Sequence, residues 1–485
     1  MVRDKGKKEE KMFSGMVDGQ MGLFGDGWVY RHILRELKDH PLVKLKGILD
    51  EILRKSGYLV EKYYSDEGRP SWPVGVLLKM LLLEYMYNLS DVQVSRMCIH
   101  DFLFRWFVGL DVTEKVPDDT TLVKFRKRLG EEGFKDVFEM LVDVAKKEGI
   151  VKGKLRIFDG THIFASIPKL GTIGLMKQGV RRVYNEVKRR SKEFAEVLSE
   201  KYSGLIKRKI KKKEKEREVK KAVKAFIKDV KKLAFPKEDE NFKKTLKGLE
   251  MVVSGNPFKI GSFTDMDAKW GRKSDSFSFC GYKAHIGTTE NGFITSVNVH
   301  SGNVNESEEI ITMVKGEKER GLEIEEVYAD GWYDSARIRD ALEGEGVRCY
   351  IPSRRDGSRI DGFRMDGDEL VCPQGKRSIG RIRQERGWLY YFSKLDCERC
   401  SLRKKCVGER KDPRARVYLS DCKAKRREDE KERYRKIRPV IERVFGWMKR
   451  WHGMGRARYR GRWRVGIQVI LTSILINLKI MANGP

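Results

Sequence analysis

Leu155-Arg156-Ile157-Phe158-Asp159-Gly160-Thr161-His162 is the stretch on which the fold turns, because an apolar run passes into an Asp-Gly pair and then into polar residues. It predicts a buried strand ending at Asp159. Val327-Tyr328-Ala329-Asp330-Gly331 repeats the pattern. Further strands are predicted at 283–289, 293–299, 326–333 and 347–352, with a helix at 335–345 between the last two. Three strands followed by alternating helix and strand make residues 149–485 an α/β domain with a mixed sheet.

Upstream, the pattern is helical. Residues 1–65 read as an irregular arm plus one helix, and the charged start Met1–Met12 lacks the apolar core of a secretory leader, so a cytoplasmic protein is expected. After Pro73 an apolar run, 74–87, precedes Ser90-Asp91-Val92-Gln93, the form of a capping box. A further helix starts near Asp119 or Thr120 and carries Lys124, Arg126, Lys127 and Arg128 beside Leu122, Phe125 and Leu129. Residues 66–148 are therefore expected to form a helical domain. It is either a helix-turn-helix DNA reader, with Arg126 and Arg128 as backbone contacts, or a bundle with a solvated basic face.

Two insertions interrupt the α/β domain. The first, 169–256, is basic and helical: residues 181–220 hold 16 basic and 7 acidic side chains, which suits either a sign-alternating solvated helix or contact with DNA backbone. The second, 354–427, holds Cys372, Cys397, Cys400 and Cys406, with Cys422 beyond. One CxxC pair and two flanking thiols suggest tetrahedral structural zinc in a reducing compartment, with Cys422 able to replace a flanking ligand. The late apolar run 466–482 is interrupted by Gln468, Thr472, Ser473, Asn477 and Lys479, and predicts a buried helix rather than a membrane span.

Lysine and arginine number 102 against 71 acidic residues, a net charge of +31. Such an excess favours double-stranded DNA as partner, through counterion release; a thermophile-like charged surface is the other reading.

Three acids have settings that suit metal chemistry. Asp159 and Asp330 each precede a glycine, which permits close approach. Glu442 lies on a later helix, sharing a face with Arg438 and Lys449; with Pro439 as first helical residue, Glu442 falls in the first turn. Hard divalent ions, Mg2+ or Mn2+, take such oxygen ligands, and two of them can activate an attacking oxygen while stabilising a leaving one. Arg438 and Lys449 suit DNA phosphate, or orient Glu442. His162 and His285 fit a phosphate contact or a buried structural role equally well.

Taken together, Phe158-Asp159-Gly160-Thr161, Gly281-Tyr282-Lys283-Ala284-His285, Ser301-Gly302-Asn303-Val304, Ala329-Asp330-Gly331-Trp332-Tyr333-Asp334-Ser335 and Ile351-Pro352-Ser353-Arg354-Arg355 resemble the successive blocks of bacterial and archaeal insertion-sequence transposases of the DDE class. The resemblance implies a ribonuclease H-like core with catalytic Asp159 on the first strand, Asp330 after the fourth and Glu442 on a late helix. It also implies two metal ions, DNA cleavage with strand transfer, and a homodimer on DNA at the nucleoid. The family's Tyr-Arg-Glu-Lys signature maps onto Tyr434, Arg438, Glu442 and Lys449, with Tyr434 one residue further from the arginine than usual. Trp332 departs from the small or basic residue usual at its position. A nuclease of the same fold that does not join strands, and a retired transposase acting as a DNA-binding regulator, are the alternatives.

Overall fold

The computed structural model describes residues 26–483 except 62, 64–70, 169, 207–214, 234–238, 256–259, 274–276, 305–307, 353–361, 385–386, 409–411 and 421–428. Met1–Met12, Ser353, Arg354, Arg355 and Cys422 lie outside the described residues.

The amino-terminal part contains α1 (Asp26–Glu36) and α2 (Pro41–Glu61), two helices where one was expected. Pro41 starts α2, where its missing N–H is no loss, and the His40 ring nitrogen accepts from Leu42 N–H at 3.2 Å. Next come α3 (Val74–Met86), α4 (Asp91–His100), α5 (Phe102–Val108) and α6 (Asp119–Lys147). The capping box forms as expected: Gln93 N–H donates to Ser90 Oγ at 3.3 Å, and Ser90 N–H donates to Gln93 Oε1 at 2.9 Å. Asp118 caps α6, and Gly130, at φ +64°, kinks it.

β1 (Leu155–Phe164) runs five residues past Asp159 instead of stopping there. Its partner β3 (Ser278–Thr288) is long enough to pair antiparallel from Ile157↔Thr288 to Phe164↔Gly281, which holds the polar second half extended. Between them lie α7 (Thr172–Arg190), α8 (Lys192–Ile206), α9 (Glu216–Lys232), α10 (Glu240–Val253) and β2 (Lys269–Arg272). The four helices bury their own core around Val180, Val223, Phe226 and Leu249. Then follow β4 (Ile294–Ser301), α11 (Glu309–Glu319), β5 (Glu326–Ala329), α12 (Ala336–Gly344) and β6 (Arg348–Tyr350). The expected strand 326–333 stops at Ala329 and continues as a 3-10 turn, Gly331–Tyr333.

The sheet order is β4-β3-β1-β5-β6, with β2 also pairing β3. β1 to β4 pair antiparallel; β1, β5 and β6 run parallel. The second insertion contributes β7 (Arg364–Asp366), β8 (Glu369–Val371), β9 (Gly380–Gln384), β10 (Gly387–Tyr391), α13 (Lys394–Glu398), α14 (Arg403–Cys406) and β11 (Arg416–Ser420).

The chain closes with α15 (Asp429–Ile437), α16 (Pro439–Trp451) and α17 (Arg462–Asn483). By length and composition α17 could cross a membrane, but it is mostly buried. Its polar residues are satisfied from within: Asn477 exchanges two 2.7 Å hydrogen bonds with the Ile294 backbone, and Thr472 and Ser473 bond carbonyls one turn back. Around α17, α3 and α6 share one hydrophobic core with a face of the sheet.

Candidate active site

Sheet register brings the two aspartates together. β1 and β5 are parallel with Phe158 opposite Ala329, so Asp159 and Asp330 follow side by side at the carboxyl ends of that pairing. Each has one oxygen tied to backbone: Gly160 N–H donates to Asp159 Oδ1 at 2.7 Å, and Trp332 N–H donates to Asp330 Oδ1 at 2.8 Å, capping the 3-10 turn. Tyr333 of that turn is buried, its hydroxyl 3.3 Å from His285 Nδ1, while Arg339 pairs with Asp334 at 3.0 Å and donates to the Ile351 carbonyl at 2.6 Å.

The third acid arrives on α16, where Pro439 is the first helical residue and Glu442 lies in the first turn. Arg438 links it to the sheet. Its guanidinium stands 2.9 Å from Glu442 Oε1 and 3.4 Å from Asp159 Oδ2, and donates to the Tyr434 hydroxyl. These carboxylates outweigh burial and hold Arg438 above the usual guanidinium range. Burial pushes Tyr434 up to about 12, against the pull of Arg438 and with further upward pushes from Asp330 and Asp159. Thus Asp159, Asp330, Glu442, Tyr434 and Arg438 occupy one neighbourhood.

Lys449, two turns along α16, is lowered to about 8 by burial and by Lys273, with Asp159 acting the other way. His162 falls to about 4 through burial and the same two lysines, and its ring packs 5.2 Å from Phe164 and Phe279. It is therefore neutral near pH 7. Lys273 begins the β2–β3 turn, its N–H donating to Phe277 O at 2.9 Å, and no local pattern marks it in the sequence. His285 is buried and pushed to about 3 by burial and by His300.

Among the described residues, no three His, Cys, Asp or Glu side chains stand ready to chelate one ion. Glu442 instead faces Arg438, a cation lying between two of the three acids. Carboxylate oxygens are the donor type that hard divalent ions take, and the guanidinium bridging two of these acids would have to give way for such an ion to bind.

Arg126 is not on a DNA-facing surface. It is 6% exposed, paired with Glu84 at 3.3 Å and with Asp91, and stacked over the Tyr459 ring at 4.9 Å. The reason is periodic: Leu122, Phe125, Arg126 and Leu129 fall on the one inward stripe of α6. Lys124, Lys127 and Arg128 are exposed.

Cys372, Cys397 and Cys406 border a small core that includes Leu370, Tyr390 and Phe392. Burial raises the Cys397 thiol, the Ala415 N–H at 3.4 Å opposes this, and Cys400 and Cys372 are close enough to push it further up.

Residues 31–128 match the family model of a transposase domain, and residues 248–478 match that of the transposase DDE domain. No curated protein and no solved structure matches the chain.

Proposed function

Its two matched domains make this chain an insertion-sequence transposase of the DDE class, and from that premise we propose that it cuts DNA at the ends of an insertion sequence and transfers the resulting 3′ ends to target DNA. The observation that carries the reading is the adjacency of Asp159 and Asp330 across the β1–β5 register, with Glu442 tied to Asp159 through Arg438. The strand order β4-β3-β1-β5-β6, with its antiparallel and parallel halves, supports a ribonuclease H-like core.

Asp159, Asp330 and Glu442 would hold two Mg2+ or Mn2+ ions, which when bound would supply activation of the attacking oxygen and stabilisation of the leaving one in phosphoryl transfer. The protein's own share is positioning. Arg438 exchanges its carboxylate partners for the phosphate beside the cut, which its planar fork fits, while Tyr434 and Lys449 flank the same phosphates. Arg128, with the basic face of α6, contacts DNA backbone in the 66–148 domain. Residues 1–65 form the amino-terminal arm and 149–485 the catalytic domain, with its insertions at 169–256 and 354–427. The working form is a homodimer on DNA, in the cytoplasm at the nucleoid.

Cys372, Cys397, Cys400 and Cys406 would hold one structural zinc ion, a closed thiolate site that takes no part in the chemistry. Elemental analysis of the pure protein is expected to find one zinc per chain, lost in Cys397→Ser; zinc-free wild type rejects the assignment.

The reading is tested with a pre-cleaved duplex bearing a 3′-hydroxyl end, purified protein and Mg2+. Covalent joining to a target plasmid is expected. Cleavage of an uncut end without joining identifies a nuclease of the same fold, and binding with neither identifies a regulator.

A further inference from the structure

Asp330 lies one residue past Phe158↔Ala329, the last pair of the β1–β5 register, so its position depends on the turn that follows rather than on the ladder. That turn closes on itself: Tyr333 N–H donates to the Asp330 carbonyl at 3.1 Å, and Trp332 N–H to the Asp330 carboxylate at 2.8 Å. On its far side Arg339 braces Asp334 at 3.0 Å. A single 3-10 turn is a short element of poor hydrogen-bond geometry, and metal chemistry asks that a carboxylate be held to within about 0.5 Å.

The remaining anchor comes from across the sheet. Tyr333 and His285 are each 2% exposed, and the tyrosine hydroxyl stands 3.3 Å from His285 Nδ1. β3 and β5 are not neighbours, because β1 runs between them. His285 pairs in register with Gly160, which presents no side chain, so the ring and the hydroxyl can meet over β1. Gly160 is also the residue whose N–H holds Asp159 at 2.7 Å. His285 thus joins both aspartate segments, one through the strand register and the other through its ring.

His285 is itself backed. On β4, Asn298 stands opposite it in register, and the His300 ring lies 5.8 Å away. Glu309, in the first turn of α11, holds both: its carboxylate meets His300 Nε2 at 2.9 Å and accepts from the Asn298 amide. Burial and His300 keep the His285 ring neutral near pH 7, so it can hold a hydroxyl without adding positive charge beside a cation site.

We propose that His285, acting through Tyr333, is a positioning residue that fixes the Asp330 carboxylate against Asp159 for divalent-ion binding. The proposal rests on the transposase reading. His285 touches neither DNA nor ion in this scheme; its effect is confined to how closely two carboxylates are held.

The test measures Mn2+ binding by the full chain on a pre-cleaved duplex end, from the electron spin resonance signal of the free ion, with Asp330→Asn as the blank for ions held elsewhere. Tyr333→Phe, which keeps the ring and removes the hydroxyl, and His285→Ala are each expected to weaken Mn2+ binding about tenfold, the lower end of the range for groups that support a metal ligand. His285→Asn, whose amide reaches the place of Nδ1, should recover most of that loss, and the double variant should lose no more than either single one. In the metal-free protein, amide exchange across the turn should quicken in Tyr333→Phe while the rest of the sheet keeps its protection. A purely structural role would lower thermal stability and leave the ion affinity of the folded molecules unchanged. Wild-type Mn2+ affinity in both single variants, or losses that multiply in the double one, overturns the positioning role while the transposase reading stands. If His285→Ala does not fold, Tyr333→Phe decides alone. If wild type binds no more Mn2+ than Asp330→Asn, the metal reading itself fails, and the proposal with it.

Discussion

Two arginine networks in this protein have the same parts list and opposite uses. Arg126 joins Glu84, Asp91 and the Tyr459 ring; Arg438 joins Glu442, Asp159 and the Tyr434 hydroxyl. The difference is water. Side-chain exposure is 7% for Arg126 and 1% for Glu84, against 28% for Arg438 and 59% for Glu442. Inside, the ions depend on their protein partners, since water replaces little of their lost hydration. Around Arg438, hydration and any arriving phosphate or cation compete for the same groups. One network staples the amino-terminal helices to the α16–α17 connection, where Arg458 and Tyr459 also reach Glu84. The other can be opened.

The largest effect expected from this contrast is on chemistry. Asp330→Asn keeps shape and the hydrogen bond to Trp332 but removes the charge that retains a divalent ion, so cleavage and joining should fall by several orders of magnitude while DNA binding persists. Single-turnover cleavage beside a gel-shift titration measures both. Normal Mg2+-dependent cleavage by the variant would move the catalytic centre elsewhere.

Arg126→Ala attacks the closed network. It leaves Glu84 and Asp91 without their shared partner in the interior, for which the usual cost is about 3–5 kcal/mol. The lower end is expected, because Arg458 remains 3.2 Å from Glu84. Denaturant unfolding checks it. A loss under about 1 kcal/mol, the range of exposed pairs, would erase the distinction between the two networks.

How far the sequence carried this reading depends on how local each cause is. The two aspartates were legible because apolar runs ending in Asp-Gly are local, and register follows once the strands are parallel neighbours. Pro439 marked the start of α16 and with it the position of Glu442. The extension of β1 past Asp159 was not legible, because it depends on β3, more than a hundred residues away. Arg126 was misplaced although its spacing held the answer: a basic residue flanked by Leu122, Phe125 and Leu129 lies on the buried stripe. Lys273 meets Lys449 only across the fold.

That meeting has a pH consequence. Burial and the Lys273 charge bring Lys449 down to about 8 from the ordinary value near 10.5. A lowered lysine favours the folded state as its proton leaves, so its charge opposes folding in full below about pH 8, and that opposition fades between about 8 and the ordinary value near 10.5. For DNA the sign reverses. Phosphate stabilises the protonated amine, so affinity should fall as pH rises through about 8, by up to about tenfold per pH unit for one linked proton. Lys449→Arg should flatten the profile. A wild-type profile already flat between pH 7 and 9.5 would remove Lys449 from the phosphate site.

The smallest effect is the most discriminating, and it concerns Arg438→Ala. Glu442 is mostly exposed, so losing its partner at 2.9 Å returns it to water rather than stranding it, and Asp159 keeps the Gly160 N–H. The stability change should stay within about 1 kcal/mol, as for exposed ion pairs. Where divalent ions are present at neutral pH it should be favourable, because the two carboxylates no longer share a competing cation. Turnover should nevertheless drop, since the fork that grips the phosphate is gone, and Arg438→Lys should restore charge without restoring bidentate geometry. Measuring unfolding and cleavage on the same preparations places the two arginines on opposite corners: Arg126→Ala low in stability, Arg438→Ala low in activity. If Arg438→Ala instead unfolds as readily as Arg126→Ala, its network is a staple too, and Glu442 is held too firmly to serve a metal.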